Sequence, residues 1–305
     1  MLFFGIRVLG DIILILSGKE VALKVREEVK KECAKFVALS SHKPTLAVVL
    51  VGDDPASATY VASKTKVCEE LGFVHQDYKL EDNIEEGVLL NLIDQLNKDA
   101  NVDAILVQLP LPSHINERKI IKEIRADKDV DGLHVTNLGS LLSEEEGFIP
   151  CTPAGILKIL EYYNIETSGK NVTVVGRSNI VGKPTAALLM QKGNDATVTV
   201  CHSRTKNLKE ATLNADILIA AIGKANFITD DMVNESCIVI DVGINRVDDD
   251  SRKKGYRLVG DVDFENVEKK CKAITPVPGG VGPMTIAQLM VNTLLAAQRH
   301  YNKRS

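Results

Sequence analysis

Apolar positions along the chain follow two alternating patterns, one typical of amphipathic helices and one typical of buried strands. Valines at 21, 25 and 29 recur at helical spacing between residues 18 and 39, and an unbroken apolar run at 45–51 then predicts a strand. The same patterns predict further elements in the first half: helices at 56–71, 84–98 and 116–124, and strands at 74–80 and 102–109. Alternation of this kind indicates a parallel sheet with helices on its faces.

The second half repeats the alternation and ends in a helix. Strands are predicted at 171–175, 196–201, 216–221 and 237–242, and a glycine-rich segment at 278–283 leads into a last amphipathic helix. Thr152-Pro153 is typical of a helix start, so we place a domain boundary there. The predicted fold class is a two-domain α/β protein, with an N-terminal α/β domain (1–150 plus 277–305) and a Rossmann-like domain (151–276). The C-terminal helix is expected to return to the first domain.

The segment 171–184 carries the most specific chemistry. An apolar strand stops at a loop that holds Gly176, Arg177, Ser178 and Gly182, and a helix follows. Glycines let the backbone approach a ligand, and a helix N-terminus favours an anion, so the loop is suited to a phosphate. It departs from the G-x-G-x-x-G fingerprint, since Ser178 replaces the second glycine and Gly182 comes one place late. The alternative is an ordinary strand-to-helix turn with a surface arginine.

The next strand ends where an NAD enzyme would place a ribose-binding carboxylate. This chain has His202, Ser203 and Arg204 there instead. A hydroxyl and a guanidinium suit the extra 2′-phosphate of NADP, and nothing acidic would repel it. The predicted cofactor is therefore NADP.

Ser57, Tyr60 and Lys64 share one face of the helix predicted at 56–71. We expect an opposite stripe, consisting of Ala58, Val61, Cys68 and Leu71, to pack on the sheet. Tyr60 and Lys64 would then face the crevice beyond the strand ends, where a lysine with a lowered pKa could exchange protons. The alternative is an ordinary solvated lysine.

Two more candidates follow in the first half. Gln108 ends a buried strand before two prolines, where it could orient a lysine or simply bond to the next loop. Asp131, in the alternating run 127–132, could accept two N–H groups of an amino-substituted heterocycle, or belong to a charged turn. The run resembles a calcium loop but lacks the downstream glutamate.

Composition excludes several classes of protein. With 37 basic and 41 acidic residues, a net charge of −4 gives no global attraction for nucleic acid. Six histidines and six cysteines show no metal-site spacing, and the cysteines form no C-x-x-C pair, so we expect no metal, reduced thiols and a cytoplasmic protein. The first 16 residues are apolar but are broken by Arg7 and Asp11. They favour a covering strand or an extension over a membrane anchor, which needs about 20 residues.

Five ordered blocks resemble the bifunctional methylenetetrahydrofolate dehydrogenase/cyclohydrolase family, from about residue 14 to residue 300. They are 51–64 (VGDDPASATYVASK), 107–112 (VQLPLP), 127–132 (DKDVDG), 176–184 (GRSNIVGKP) and 275–285 (TPVPGGVGPMT). The resemblance implies a homodimeric, NADP-dependent enzyme that oxidises methylenetetrahydrofolate and hydrolyses the methenyl product to 10-formyltetrahydrofolate. The alternatives are a non-catalytic folate or dinucleotide sensor, a member with only the dehydrogenase activity, and an NADP-dependent dehydrogenase of another small substrate.

The resemblance also implies roles for individual residues. Lys64 would handle the proton, Tyr60 would stack along the folate, Gln108 would tune the lysine, and Asp131 would hold the pterin amino group. The remaining substrate contacts would be Ser57, Val107, Leu109, Pro278, Gly279 and Gly280. The dinucleotide contacts would be Gly176, Arg177, Ser178, Gly182, Ser203, Arg204 and Ile244.

Overall fold

Helices and strands alternate through most of the chain, as the apolar pattern predicts. The structure is a computed structural model, and it describes residues 13–252 and 255–304. Its helices are α1 (Gly18–Ser40), α2 (Pro55–Leu71), α3 (Glu86–Lys98), α4 (Glu117–Glu123), α5 (Val135–Ser143), α6 (Cys151–Tyr162), α7 (Gly182–Leu189), α8 (Leu208–Leu213), α9 (Phe264–Val267) and α10 (Val281–Arg304). Its strands are β1 (Leu14–Ile15), β2 (Thr45–Val51), β3 (Val74–Leu80), β4 (Ala104–Val107), β5 (Asn171–Val175), β6 (Thr197–Cys201), β7 (Ile217–Ala220), β8 (Ile238–Asp241), β9 (Asn245–Asp248), β10 (Tyr256–Val259) and β11 (Ala273–Ile274).

The described residues divide into two compact units. One, here called the three-stranded unit, comprises Leu23–Cys151 and the residues from Ile286 onward; the other, the six-stranded unit, comprises the residues up to Ala22 and Thr152–Thr285. The placement of residues 286–304 confirms the return of the C-terminal helix to the first half of the chain. The predicted covering strand or extension lies mostly in residues 1–12, outside the described residues.

The three-stranded unit is built on a parallel sheet in the order β3-β2-β4. All seven residues of the central strand β2 are buried, as expected for a strand covered on both faces. β2 pairs with β3 on one side and with β4 on the other, so the chain crosses over β2 on its way from β3 to β4. The direction in which successive strands are added therefore reverses between β2 and β4. Open parallel sheets bind ligands outside the carboxyl ends of the strands at such a point.

Helix α2 has the predicted ends but a different buried face. Asp54 caps its N-terminus by accepting from Ser57 N at 2.7 Å, and Gly72, with a φ of 81°, ends it in the left-handed conformation. The prediction that Cys68 lies opposite Lys64 is wrong, because Ser57, Lys64, Cys68 and Leu71 are all buried while Ala58 is exposed. Residues four apart share a helix face, so Lys64 lies within the buried stripe itself.

Helix α5 is an element that the sequence interpretation missed. His134 caps its N-terminus, and the carboxylate of Asp129 accepts from His134 N at 2.7 Å and from Asn137 Nδ2 at 2.8 Å. The middle carboxylate of the 127–132 run thus anchors a helix, which separates its role from that of Asp131.

The six-stranded unit contains a parallel sheet in the order β1-β11-β8-β7-β5-β6. The chain runs from β5 to β6 on one side and then crosses to β7 on the other. This reversal is the switch point of a doubly wound, Rossmann-like sheet. Strands β9 and β10 form a separate antiparallel hairpin that the sequence interpretation missed.

The described residues contain no helix with the length and apolarity that a membrane crossing requires. In the same ranges, no group of three or more potential ligands could hold a metal ion. All six cysteines fall within these ranges and are buried free thiols.

Candidate active site and dinucleotide site

Lys64 and Gln108 meet at the carboxyl end of the three-stranded sheet. Lys64 Nζ donates to Gln108 Oε1 at 2.8 Å, and the side chain of Lys64 is only 8% exposed. Gln108 is fixed in turn, because its backbone N donates to Val49 O and its Nε2 donates to Leu109 O at 2.6 Å. The amide therefore presents its oxygen to the lysine in a defined orientation. The structure thus brings together Lys64 and Gln108, two of the predicted site residues.

Burial lowers the pKa of Lys64, and the nearby charge of Asp131 partly opposes that shift. Removing an ammonium group from water disfavours its charged form, while a neighbouring carboxylate favours it. The result is a lysine that can give up its proton more readily than one in solvent. That property suits a residue that transfers protons near neutral pH.

Asp131 and Cys151 complete the group around the lysine. Burial raises the pKa of Asp131, and the charge of Lys64 and a hydrogen bond with Cys151 act against that rise. Burial, followed by the charge of Asp131, raises the pKa of the Cys151 thiol well above its usual value. The thiol of Cys151 also donates a hydrogen bond to Val130 O at 3.2 Å. Cys151 is thus a neutral neighbour of the carboxylate, whereas the sequence interpretation had treated it only as one of six reduced thiols.

The other residues predicted to contact substrate in this unit are distributed around the same strand ends. Tyr60 is half-buried on α2, and burial raises the pKa of its hydroxyl. Ser57 is buried one turn before it, and its backbone N–H is already used by the cap of the helix. Val107 and Leu109 flank Gln108, the first buried and the second partly buried. Their contact with substrate stays a prediction.

The predicted phosphate loop lies at the switch point of the six-stranded sheet. Gly176 has a φ of 128°, and a side chain there would collide with the carbonyl oxygen of Ala221 on the neighbouring strand connection. A side chain at Gly182 would collide with the carbonyl oxygen of Gly176, so the late glycine serves the close approach of α7 to the loop. Ser178 Oγ accepts from Val181 N at 3.1 Å and Gly182 N at 3.3 Å, which fixes the turn. The loop is therefore built around both glycines.

The remaining dinucleotide candidates lie at the carboxyl ends of neighbouring strands. Arg177, Ser203 and Arg204 are exposed, and the turn after β6 is held by His202, whose Nδ1 accepts from Arg204 N at 3.1 Å. Ile244, in the connection after β8, is 43% exposed. Strands β5, β6 and β8 belong to one parallel sheet, so all of these side chains belong to the same end of it.

The 278–280 segment also belongs to the six-stranded unit. Gly279 has a φ of 109°, and its carbonyl accepts from Lys19 N at 2.9 Å. A side chain at Gly280 would come within 2.5 Å of Pro276 O. The geometry accounts for both glycines as residues of a tight turn, and their predicted contact with substrate stays a prediction.

The three-stranded unit has a buried lysine at the carboxyl ends of its strands, and the six-stranded unit has a glycine loop at the switch point of its sheet. These features define a two-unit α/β enzyme of the nicotinamide-dependent class. Comparison with known proteins identifies the family. The tetrahydrofolate dehydrogenase/cyclohydrolase catalytic domain matches residues 16–131, and the NAD(P)-binding domain of the same family matches residues 150–301. The chain belongs to this family, which confirms the predicted family, enzyme class and fold class.

Individual relatives cover nearly the whole chain. The Bifunctional protein FolD of Campylobacter hominis is 53% identical over 289 residues, 95% of this chain and 99% of that protein. The crystal structure of the bifunctional enzyme FolD from Campylobacter jejuni has a TM-score of 0.88 at 49% identity and covers 94% of this chain and 99% of that one. The Trypanosoma brucei enzyme, crystallised with NADP cofactor and an inhibitor, has a TM-score of 0.91 at 35% identity and covers 96% of this chain and 99% of that one.

Proposed function

We propose that the chain oxidises 5,10-methylenetetrahydrofolate with NADP and then hydrolyses 5,10-methenyltetrahydrofolate to 10-formyltetrahydrofolate. The observation that carries this proposal is the buried Lys64, hydrogen-bonded to a fixed Gln108 at the carboxyl end of a parallel sheet. A lysine in that setting is able to exchange a proton during hydrolysis. Family membership supplies the substrate class.

The residues of the six-stranded unit fit a dinucleotide. Gly176 and Gly182 form a cradle that any side chain would fill, and Arg177 is exposed beside it. Exposed Ser203 and Arg204 offer a hydroxyl and a positive charge to a 2′-phosphate, which favours NADP over NAD. When bound, the nicotinamide supplies a hydride acceptor. We assign the other contacts of this site to Ser178 and Ile244.

The dehydrogenase step needs positioning more than proton transfer. We assign Tyr60 to stacking along the folate and Asp131 to the pterin amino group, which a carboxylate can bind through two N–H donors. Ser57, Val107 and Leu109 would line the substrate in the same unit, and family membership supports further substrate contacts at Pro278, Gly279 and Gly280. Holding the reacting carbon in place reduces the entropic part of the barrier.

Lys64 carries the hydrolytic step. Water attacks the methenyl carbon, and the neutral amine of Lys64 takes a proton from that water as the new C–O bond forms. The ring C–N bond then breaks as the formyl C=O bond forms. The ring nitrogen that leaves gains the proton that the ammonium of Lys64 returns, and the hydroxyl proton of the intermediate is released to solvent as the one net proton of the hydrolysis. Gln108 accepts one N–H of the lysine throughout, which fixes where Nζ points.

Two spectrophotometric assays on one preparation test this function. The first follows formation of NADPH from methylenetetrahydrofolate, and the second follows loss of methenyltetrahydrofolate in the absence of dinucleotide. We expect both activities. Oxidation without hydrolysis would indicate a dehydrogenase alone, and binding of both ligands without turnover would indicate a sensor.

We also propose that the enzyme is a homodimer in the cytoplasm and has no nucleic-acid or membrane partner. Family membership supports the assembly, and the net charge of −4 supports the absence of a nucleic-acid partner. Light scattering coupled to gel filtration tests the assembly, and a mass of one chain at micromolar concentration would contradict it.

A further inference from the structure

Two carboxylates are buried in the six-stranded unit, and neither belongs to the residues assigned above. Asp241 ends β8 and is 2% exposed, and Asp261 follows β10 and is fully buried. Carboxylates are rarely buried unless their oxygens are fully bonded, because burial removes their hydration. Their hydrogen-bond partners therefore indicate what they do.

Asp261 binds the connection that follows β7. Its Oδ2 accepts from Ile222 N at 2.6 Å and Gly223 N at 2.8 Å, and its Oδ1 accepts from Lys224 N and Asn245 Nδ2, both at 2.9 Å. Three consecutive backbone N–H groups of one loop thus point at a single carboxylate.

Asp241 binds the connection that follows its own strand. Its Oδ1 accepts from Gly243 N and Asp261 N, both at 2.9 Å, and its Oδ2 accepts from Val262 N at 3.0 Å. The backbone N of Asp241 donates to Thr275 Oγ1 at 2.7 Å, which fixes the strand end itself. The two aspartates are therefore linked directly, through the backbone N–H of Asp261.

Two glycines make room for this arrangement. A side chain at Gly243 would collide with the carboxylate of Asp261, and a side chain at Gly260 would collide with the carboxylate of Asp241. Each carboxylate thus occupies the space left by a glycine near the other aspartate in sequence. This reciprocal packing fixes the positions of the backbone segments after β7, β8 and β10 relative to one another.

Two of these segments border the dinucleotide site. The loop 222–224 continues from Ala221, whose carbonyl packs against Gly176 and whose N donates to Val175 O at 2.8 Å. The connection 242–244 carries Ile244, one of the residues assigned to the cofactor. We propose that Asp241 and Asp261 are positioning residues that shape these two loops for NADP. This inference rests on the proposed function and names residues that act on the cofactor through the backbone.

The chemistry of the contacts requires an acid at position 261. Both oxygens of Asp261 accept only from N–H groups, so an asparagine would direct its own NH₂ at two of those donors in either orientation. Burial raises the pKa of Asp241 to about 7, with a smaller contribution from the charge of Asp261. Burying two adjacent acids is costly, and the backbone N–H groups that donate to them offset that cost. Their value lies in the loop geometry that they impose.

The test compares the two reactions in Asp261→Asn. Hydrolysis of methenyltetrahydrofolate, assayed without dinucleotide, serves as the internal control because it needs no NADP. We expect the KM for NADP to rise by about tenfold or more, as for loss of hydrogen bonds to a charged group, while hydrolysis per folded molecule stays near wild type. Asp231→Asn, which changes a surface aspartate paired with Lys209, is the matched control and should leave the KM unchanged.

A milder variant guards against misfolding of the first. Asn245→Ala removes one donor to Asp261 and leaves both carboxylates in place, so it should fold and raise the KM for NADP by a smaller factor. An unchanged KM for NADP in a folded Asp261→Asn protein would overturn the proposal, as would an equal loss of both activities. If Asp261→Asn does not fold, an unchanged KM in Asn245→Ala would overturn it. The proposed function is tested separately, by the two activities of the wild-type enzyme. Absence of those activities would contradict the proposed function, whereas the variants test only the roles of the two aspartates.

Discussion

At the scale of single residues, the chemistry depends on charged groups placed where water is scarce. Lys64 is buried against Gln108 and next to Asp131, so the pKa of each charged group depends on the other and on burial. Arg177, by contrast, is exposed and would interact with a ligand phosphate directly. Residues of these two kinds should respond differently to substitution.

Arg177→Ala should impair NADP and spare NAD. We propose that its guanidinium, with Ser203 and Arg204, binds the 2′-phosphate that NAD lacks, so we expect the KM for NADP to rise by about tenfold or more, with little change for NAD. Steady-state kinetics with both cofactors measures this, and Arg252→Ala, a surface arginine of the same unit, is the control. Equal use of both cofactors by the wild-type enzyme would contradict the assignment.

Asp131→Ala should abolish both activities, because both reactions use the same bound pterin. Removal of one charged partner from a buried pair costs about 2 to 5 kcal/mol, which predicts a large loss of folate affinity. Calorimetric titration with a folate ligand measures it, with Asp94→Ala as a surface control. Wild-type folate affinity in a folded variant would show that Asp131 is only a turn residue.

At the scale of elements, the pattern of apolar residues was sufficient where strands are buried on both faces. β2 and β5 were predicted with their observed bounds because their apolar runs are nearly continuous. Helix α5 was missed because Val135 and Leu142 are apolar yet 65% and 64% exposed, which obscures its amphipathic pattern. The β9–β10 hairpin was missed because its strands are short and largely polar.

The anchor of α5 gives a prediction for the pH dependence of stability. Burial raises the pKa of Asp129 to about 6, although its hydrogen bonds with His134 and Asn137 oppose the rise. The folded state then holds a proton that the unfolded state has lost above its ordinary pKa of about 4. The contribution to the free energy of unfolding is therefore fully present below that pKa and is lost as the pH rises through about 6.

Urea unfolding of wild type and Asp129→Asn from pH 4 to pH 7 measures this contribution. The free energy of unfolding of the wild type should fall relative to that of the variant by up to about 1.4 kcal/mol per pH unit within that range. A constant difference between the two proteins would show that Asp129 carries no such shift. Asp94→Asn, a surface substitution, should follow the wild type.

At the scale of the whole molecule, the sequence allowed the family and the fold class to be predicted, because five ordered blocks and alternating elements extend over most of the chain. It also indicated Lys64, Gln108 and Asp131, through a shared helix face, a polar strand end and a run of alternating carboxylates. It missed Cys151, Asp241 and Asp261, because a lone cysteine is typical of a core residue and an aspartate within two residues of a glycine is typical of a turn. Their partners are distant in sequence, and only the folded chain brings them together.

The central claim is that one chain performs two reactions with different demands on Lys64. Hydride transfer moves no proton through a side chain, whereas hydrolysis does. The decisive measurement is therefore the ratio of the two activities in Lys64→Met, which keeps the aliphatic bulk and removes the amine. We expect hydrolysis to fall by about 100-fold or more, with measurable oxidation and accumulation of methenyltetrahydrofolate. Wild-type hydrolysis by this variant would contradict the account and leave water positioning by Gln108 and Tyr60 as the better explanation.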